Sequence, residues 1–309
     1  MSTNKAALYR FIRSTVQEIR RGAKLQLLVD FDGTIAPLSD DPLHARANPE
    51  AARALYRLAR HPAVSVTFVT GRSVEDLRQR LKKAHMVLPF NIIGSYGAEV
   101  QRAGKRVVAQ EQLPPGSATV MDEFNRAAMD LKSRHPGLIT QKKHGSVNVD
   151  VRSMDDTDQA HRMAVISEAR QAFAMISSHP DMPMVDGAPL FQIRQESSHE
   201  ICIRTEVFDK AYAIKKARFI DPYEITIFMG DSFTSHGGDR SAAVLVNDKT
   251  QFFNGCVVQV MNGRDGPVDP NAPEAPSYVL EDTAETGKFL NRMALNFDAR
   301  NPFGRTFRP

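Results

Sequence analysis

Asp30 and Asp32 stand two apart in the run Asp30-Phe31-Asp32-Gly33-Thr34-Ile35, directly after the apolar stretch Leu25 to Val29. Side chains at i and i+2 of a strand point the same way, so two carboxylates with this spacing reach one site together. One carboxylate can attack a phosphorus atom, splitting phosphate transfer into two displacements through an aspartyl-phosphate. The other can protonate a leaving oxygen and later take a proton from water. Thr70 and Lys210 offer a hydroxyl and an ammonium for the transferring oxygens, where negative charge must be balanced. Asp231 ends another apolar run. Asp30, Asp32 and Asp231 gathered at one sheet edge would repel one another without a cation, and such hard oxygen ligands suit Mg²⁺.

The surrounding pattern supplies strands that end at these residues. Leu25 to Val29, Val64 to Val69, Ile92 with Ile93, Ile225 to Met229, Val257 to Val260 and Tyr278 to Leu280 read as buried strands. Helices alternate with them. Leu8, Ile12, Val16 and Ile19 fall at helical spacing over residues 4 to 21. Asn48-Pro49-Glu50 opens a helix running to about Arg60, and Ser73 with Asp76 resembles a capping box for one running to about Ala84. A last helix covers about Ala284 to Ala294. The alternation predicts an α/β fold with a doubly wound, mostly parallel sheet. Between Gln101 and Thr205 the pattern changes to helices around Val120 to Leu131 and Met163 to Ile176, with β-like runs near Val147 to Val151 and Ile201 to Ile203. We read residues 101–205 as an inserted α+β domain, 1–100 and 206–299 as the core, and 300–309 as a loosely held tail.

The composition of the 309 residues excludes several classes. Hydrophobic residues make up 42% and charged residues 25%, an ordinary globular balance. A net charge of +4 is too small to argue for nucleic acid, and no apolar run approaches the length of a membrane helix. Two cysteines, Cys202 and Cys256, fit no metal spacing and suggest a reducing compartment, so the cytoplasm is the expected location. Met121, Met129, Met163 and Met175 are expected on helix faces as core or interface packing.

These residues bear a resemblance to haloacid dehalogenase superfamily phosphatases. Asp30 to Ile35 resembles their first motif, Thr70-Gly71-Arg72 their second, Lys210 their third and Gly230-Asp231 their fourth. Finer features are similar to trehalose-6-phosphate phosphatases: Pro37, the Asp41-Pro42 region, Gly94-Ser95-Tyr96-Gly97-Ala98-Glu99 in place of Gly-x-His-Gly-Ala-Glu, and Arg204 six residues before Lys210. The likeness runs from Leu25 to Asn291 in consistent order. It implies that Asp30 is the nucleophile and Asp32 the general acid/base, which also lends its backbone carbonyl to Mg²⁺. Asp30 and Asp231 would bind the metal, Thr70, Lys210, Gly33, Gly71 and Arg72 the phosphate region, and the insert would be a mobile cap.

Two regions depart from the family. Its fourth motif continues Gly-Asp-Asp-x-Thr-Asp-Glu-Asp, whereas this chain reads Gly230-Asp231-Ser232-Phe233-Thr234-Ser235-His236-Gly237-Gly238-Asp239, leaving Asp239 to return to the metal if the glycines form a loop. In the insert, the family's Glu-x-Lys falls on Gln141-Lys142-Lys143, and a second glutamate falls on Cys202, with Glu200 two residues further back on the same strand face. Lys143, Gln141, Arg204 and Glu200 are the expected sugar contacts. The resemblance implies hydrolysis of trehalose 6-phosphate. Two alternatives stand beside it: the same chemistry on another phosphorylated glycoside or hexose, and a catalytically weakened sugar-phosphate-binding regulatory protein.

Overall fold

The computed structural model describes residues 5–39, 44–84, 86, 90–105, 108–154, 158–179, 182–197, 199–220, 223–233, 238–252, 254–262 and 268–298. The expected Asp41-Pro42 feature, residues 234–237 of the fourth motif and the 300–309 tail lie outside them.

Helix α1 (Lys5–Arg20) buries Leu8, Ile12, Val16 and Ile19, the stripe read from its spacing, and leads into β1 (Leu25–Val29). Helix α2 (Pro49–Ala59) begins where the Asn48 side chain accepts the backbone N–H groups of Glu50 and Ala51 at 2.9 and 3.2 Å. β2 (Val64–Val69) follows, then α3 (Val74–Lys83), whose Asp76 N–H donates to the Ser73 hydroxyl. β3 (Asn91–Gly94) closes this half. Two short antiparallel strands, β4 (Glu99–Gln101) and β5 (Ala109–Gln110), extend the same sheet, so the large sheet continues past the expected boundary at 101. A strand of two or three residues is too short to show an alternation, which is why the sequence did not reveal them.

The inserted unit holds helices α4 (Ser117–Arg134) and α5 (Gln159–Ser177) against one antiparallel sheet. Its strands are β6 (Ile139–Lys143), β7 (Ser146–Asp150), β10 (Phe191–Ser197) and β11 (Glu200–Thr205), in the order β10-β11-β7-β6. A separate pair, β8 (Met184–Val185) and β9 (Ala188–Pro189), precedes β10. Val147, Val149, Ile201 and Ile203 pack under the helices with Phe124, Phe173 and Phe191. Their neighbours along β7 and β11 therefore occupy the other face. Met121 is buried, but Met129, Met163 and Met175 are exposed, Met175 by 73%, and do not belong to this core.

The chain returns to the large sheet through α6 (Lys210–Ile220), β12 (Ile225–Gly230), α7 (Arg240–Asn247), β13 (Gly255–Val260), β14 (Tyr278–Leu280) and α8 (Thr283–Asp298). The eight-stranded order is β14-β13-β12-β1-β2-β3-β4-β5, parallel from β14 through β3. Helices α1, α2 and α8 cover one face, and α6 and α7 the other. The chain moves outward from β1 in both directions, so the strand order reverses between β1 and β12. In open sheets of this kind, ligands bind outside the carboxyl ends of the strands at that reversal. Asp30 and Asp231 are the residues that follow β1 and β12. Among the described residues, no helix is long and apolar enough to cross a membrane.

Candidate active site

Burial decides the chemistry at the strand ends. Asp30, Asp231 and Asp239 each offer a carboxylate oxygen to one cluster, with these atoms within 4.8 Å of one another. Asp30 is 4% exposed, Asp231 9% and Asp239 fully covered. Lys210, at the start of α6, reaches in with its Nζ 2.8 Å from Asp30 Oδ1 and 2.5 Å from Asp239 Oδ1. Three buried carboxylates against one buried ammonium leave an excess of negative charge that the low-dielectric interior penalises. The donor set is all oxygen, so the residues present fit a hard divalent cation.

The acids respond to this crowding. Burial pushes the Asp30 carboxyl up to about 7, with Asp239 and Asp32 adding to the push and Lys210 opposing it. Burial likewise raises the Asp231 carboxyl well above its ordinary value, with Asp239 and Asp30 reinforcing it. Lys210 is raised too, for a different reason: burial works against its charge, yet Asp239 and Asp30 outweigh burial and hold the ammonium protonated.

A pH dependence follows. Asp30 takes up a proton more readily in the folded than in the unfolded chain, so its contribution to stability is complete below its ordinary value and is lost as pH rises through about 7. A divalent ion needs the deprotonated acids and restores what the rise in pH removes. The increase in melting temperature on adding Mg²⁺ is therefore expected to be larger at about pH 8 than at about pH 5. Equal increments at both values in calorimetry would mean that this cluster is not where the ion binds.

The sequence placed Asp32 among the converging acids, and here the structure differs. Arg72 takes both Asp32 oxygens, through Nε to Oδ2 and Nη2 to Oδ1, each at 2.6 Å, while its Nη1 donates to Asp76 Oδ2 at 2.6 Å. A planar guanidinium matches a carboxylate bidentately, so the fork draws the Asp32 side chain away from the three-acid cluster. Arg72 itself, expected among the phosphate contacts, is committed to these two carboxylates and lies over the Phe31 ring. Asp239 takes the third place in the cluster. Its Oδ2 accepts the backbone N–H groups of Asp231 and Ser232 at 2.9 and 3.0 Å.

Thr70 is buried, and its hydroxyl accepts the Arg72 N–H at 3.1 Å, leaving its own proton to donate. Gly33 has φ +72°, and a Cβ there would fall 2.0 Å from Asp231 Oδ2, so only glycine lets the first-motif turn pass beside that acid. A Cβ on Gly71 would strike the Tyr96 ring at 2.6 Å. Tyr96 and the preceding Ser95 both hold left-handed backbone, with φ of 58° and 49°, in a 3-10 turn (Ser95–Gly97) after β3. Glu99, last of that motif, accepts the Val74 N–H at 2.8 Å and so anchors the start of α3.

The expected sugar contacts share one face of the smaller sheet. Pairing registers Gln141 with Asn148 and Lys143 with Ser146 across β6 and β7, and Asn148 with Cys202, Ser146 with Arg204 and Asp150 with Glu200 across β7 and β11. This face abuts the strand ends of the core: Lys143 Nζ donates to the Gly71 carbonyl at 3.0 Å, and the Arg204 guanidinium lies 4.4 Å from the Tyr96 ring centroid. Burial raises the Glu200 carboxyl, against the pull of Lys143.

Sequence reasoning missed several residues here. Asn262 follows β13 and donates to Asp231 Oδ2; its place just beyond a parallel strand was the available signal. Asp150 and Arg152 form a pair at 2.5 Å on the cap-sheet strand β7 and just beyond it, with Arg152 3.7 Å from Glu200. Arg72's neighbour Asp76 was read only as a helix-capping residue.

The doubly wound sheet, its inserted unit and the buried aspartate-and-lysine pair at the reversal are those of a phosphoric monoester hydrolase of the haloacid dehalogenase superfamily. Residues 28–234 match the sequence model of the family described as trehalose-phosphatase, and the chain belongs to that family. It is 23% identical over 286 residues to an Arabidopsis thaliana protein named probable trehalose-phosphate phosphatase I, covering 90% of this chain and 69% of that one. Two solved structures share its fold. The C-terminal domain of a C. albicans trehalose-6-phosphate phosphatase aligns with TM-score 0.65 at 14% identity, covering 91% of this chain and 96% of that one. A trehalose-6-phosphate phosphatase related protein aligns with TM-score 0.59 at 19% identity, covering 87% and 97%.

Proposed function

We propose that this chain hydrolyses trehalose 6-phosphate to trehalose and phosphate through an aspartyl-phosphate on Asp30. Asp30 Oδ attacks phosphorus, the bond from phosphorus to the sugar oxygen breaks, and Asp32 gives that oxygen a proton. Asp32 then takes a proton from water, whose oxygen displaces Asp30 from phosphorus and releases phosphate. Lys210, beside Asp30, and Thr70, whose hydroxyl keeps a proton to donate, would balance the charge on the phosphoryl oxygens. Asp30, Asp231 and Asp239, with the Asp32 backbone carbonyl, would hold Mg²⁺. Bound there, the ion would neutralise the acids and draw charge from the phosphoryl oxygens.

Arg72 acts as a positioning residue in this reading. Its fork holds the Asp32 side chain by both oxygens, and that side chain must leave the fork to deliver a proton. The unit between β5 and α6 acts as a cap that closes over the sugar and excludes water. Neither cysteine forms a disulfide, which suits the cytoplasm, and the partner is a small sugar phosphate rather than nucleic acid or membrane.

The observation that carries the reading is Asp30 buried beside Lys210 at the reversal of strand order, in a chain of the trehalose-phosphatase family. Phosphate release from a panel of sugar phosphates, with and without Mg²⁺, tests it. Release from trehalose 6-phosphate that depends on the ion is expected. Preference for another phosphorylated glycoside would fit Gln141 and Cys202, which stand where the family carries acids, and would replace the trehalose assignment. Tight binding with no release from any member would leave a regulatory sugar-phosphate binder.

A further inference from the structure

On the cap face turned to the core, Asn148 Oδ1 and Ser146 Oγ are among the buried side-chain atoms of the described residues that have no hydrogen-bond partner. Asn148 is 4% exposed and Ser146 3%, two residues apart on the inner strand β7. The Asn148 Nδ2 donates to Glu200 Oε1 at 2.6 Å, while its Oδ1 and the Ser146 Oγ have no hydrogen-bond partner. Other polar groups nearby are committed. Asp150 is engaged by Arg152 through Nε and Nη2, and Lys143 reaches the Gly71 carbonyl.

The chemistry of this pair selects its ligand. The Asn148 amide donates through its nitrogen to a Glu200 oxygen, which leaves its own oxygen as a buried acceptor with no donor. A free amide oxygen needs a donor, and a hydroxyl beside it can give or take. Side chains two apart on a strand are separated by roughly 7 Å, about the breadth of a pyranose ring. An anion beside Asn148 would meet Asp150 and Glu200, whereas Lys143 and Arg204 flank Ser146. A neutral polyol, with several hydroxyls at fixed angles, satisfies both atoms. Buried polar groups left unpaired in a native fold call for such a partner.

We propose that Asn148 and Ser146 are specificity-determining residues that bind two hydroxyls of the sugar, with Glu200 as the positioning residue that fixes the Asn148 amide. This rests on the sugar-phosphatase reading above and adds to it which atoms read the sugar. Asn148 Oδ1 accepts from one hydroxyl, and the substrate must donate there. A sugar lacking that hydroxyl leaves the amide oxygen unpaired and is rejected.

The test compares trehalose 6-phosphate with its monodeoxy analogues at positions 2, 3 and 4 of the phosphorylated ring, in wild type, Asn148→Ala and Ser146→Ala. For wild type, one analogue is expected to lose about 10-fold or more in kcat/KM, and Asn148→Ala is expected to erase that loss while keeping the others. Ser146→Ala, which removes a single oxygen and keeps the strand, should erase the loss at a different position. A uniform fall across the series in both variants, or unchanged discrimination in both, overturns the proposal. Absence of phosphate release by wild type from every member overturns the sugar-phosphatase reading itself, and the inference with it.

Discussion

Asp30→Asn is expected to lower phosphate release by at least about four orders of magnitude, because an amide cannot form the acyl phosphate and the neighbouring acids are engaged, Asp32 by Arg72 and Asp239 by Lys210. The same change should not harm the fold. Asp30 sits among Asp231, Asp239 and Lys210, where it is already pushed up to about 7 by burial and neighbouring acids. Removing its charge relieves that repulsion, so without a divalent ion the variant should melt at or above the wild-type temperature. Single-turnover phosphate release together with a thermal melt checks both halves. Activity within about 10-fold of wild type would move the nucleophile elsewhere.

Lys210→Met carries the second large effect, and here the loss falls on stability as well as on catalysis. The ammonium is buried and lies within 2.8 Å of Asp30 and 2.5 Å of Asp239, so removing it strands two carboxylates in a dry site. Breaking a buried pair in this way costs about 3–5 kcal/mol. Urea unfolding measures it directly. A second substitution, Asp239→Asn, should recover part of the loss. The Asn oxygen can still accept the Asp231 and Ser232 N–H groups, and the stranded charge is gone. If the double variant is as unstable as the sum of the two single ones, Lys210 and Asp239 do not form an energetic unit.

How far the sequence could be read depended on how local each signal was. β1, β2, β12 and β14 were legible because an apolar run stops at a turn residue, and Asp30 and Asp231 were placed by that alone. β10 was not, because its sequence Phe-Gln-Ile-Arg-Gln-Glu-Ser alternates for only a few residues before turning polar. Asp32 was legible as a carboxylate at the right spacing, but not its withdrawal from the acids, since Arg72 is brought to it only by the packing of β2 beside β1. Asn148 and Ser146 alternate with the buried Val147 and Val149 and read as the wet side of a strand. Only the approach of the core through Lys143 and Arg204 makes that side an interior.

The carboxylate of Asp239 also ties a knot in the chain. It accepts the N–H groups of Asp231 and Ser232, and the Asp239 N–H donates back to the Ser232 carbonyl at 2.9 Å, closing the neck of the segment between them. With the neck fastened at its base, Asp231 and Asp239 are tied by bonds that use none of the side chains between them. A search keyed to a fixed count of residues between the two acids would pass over any protein that holds this centre with a different spacing. The trait to look for is an aspartate at the first turn of the next helix that can reach back to the strand end.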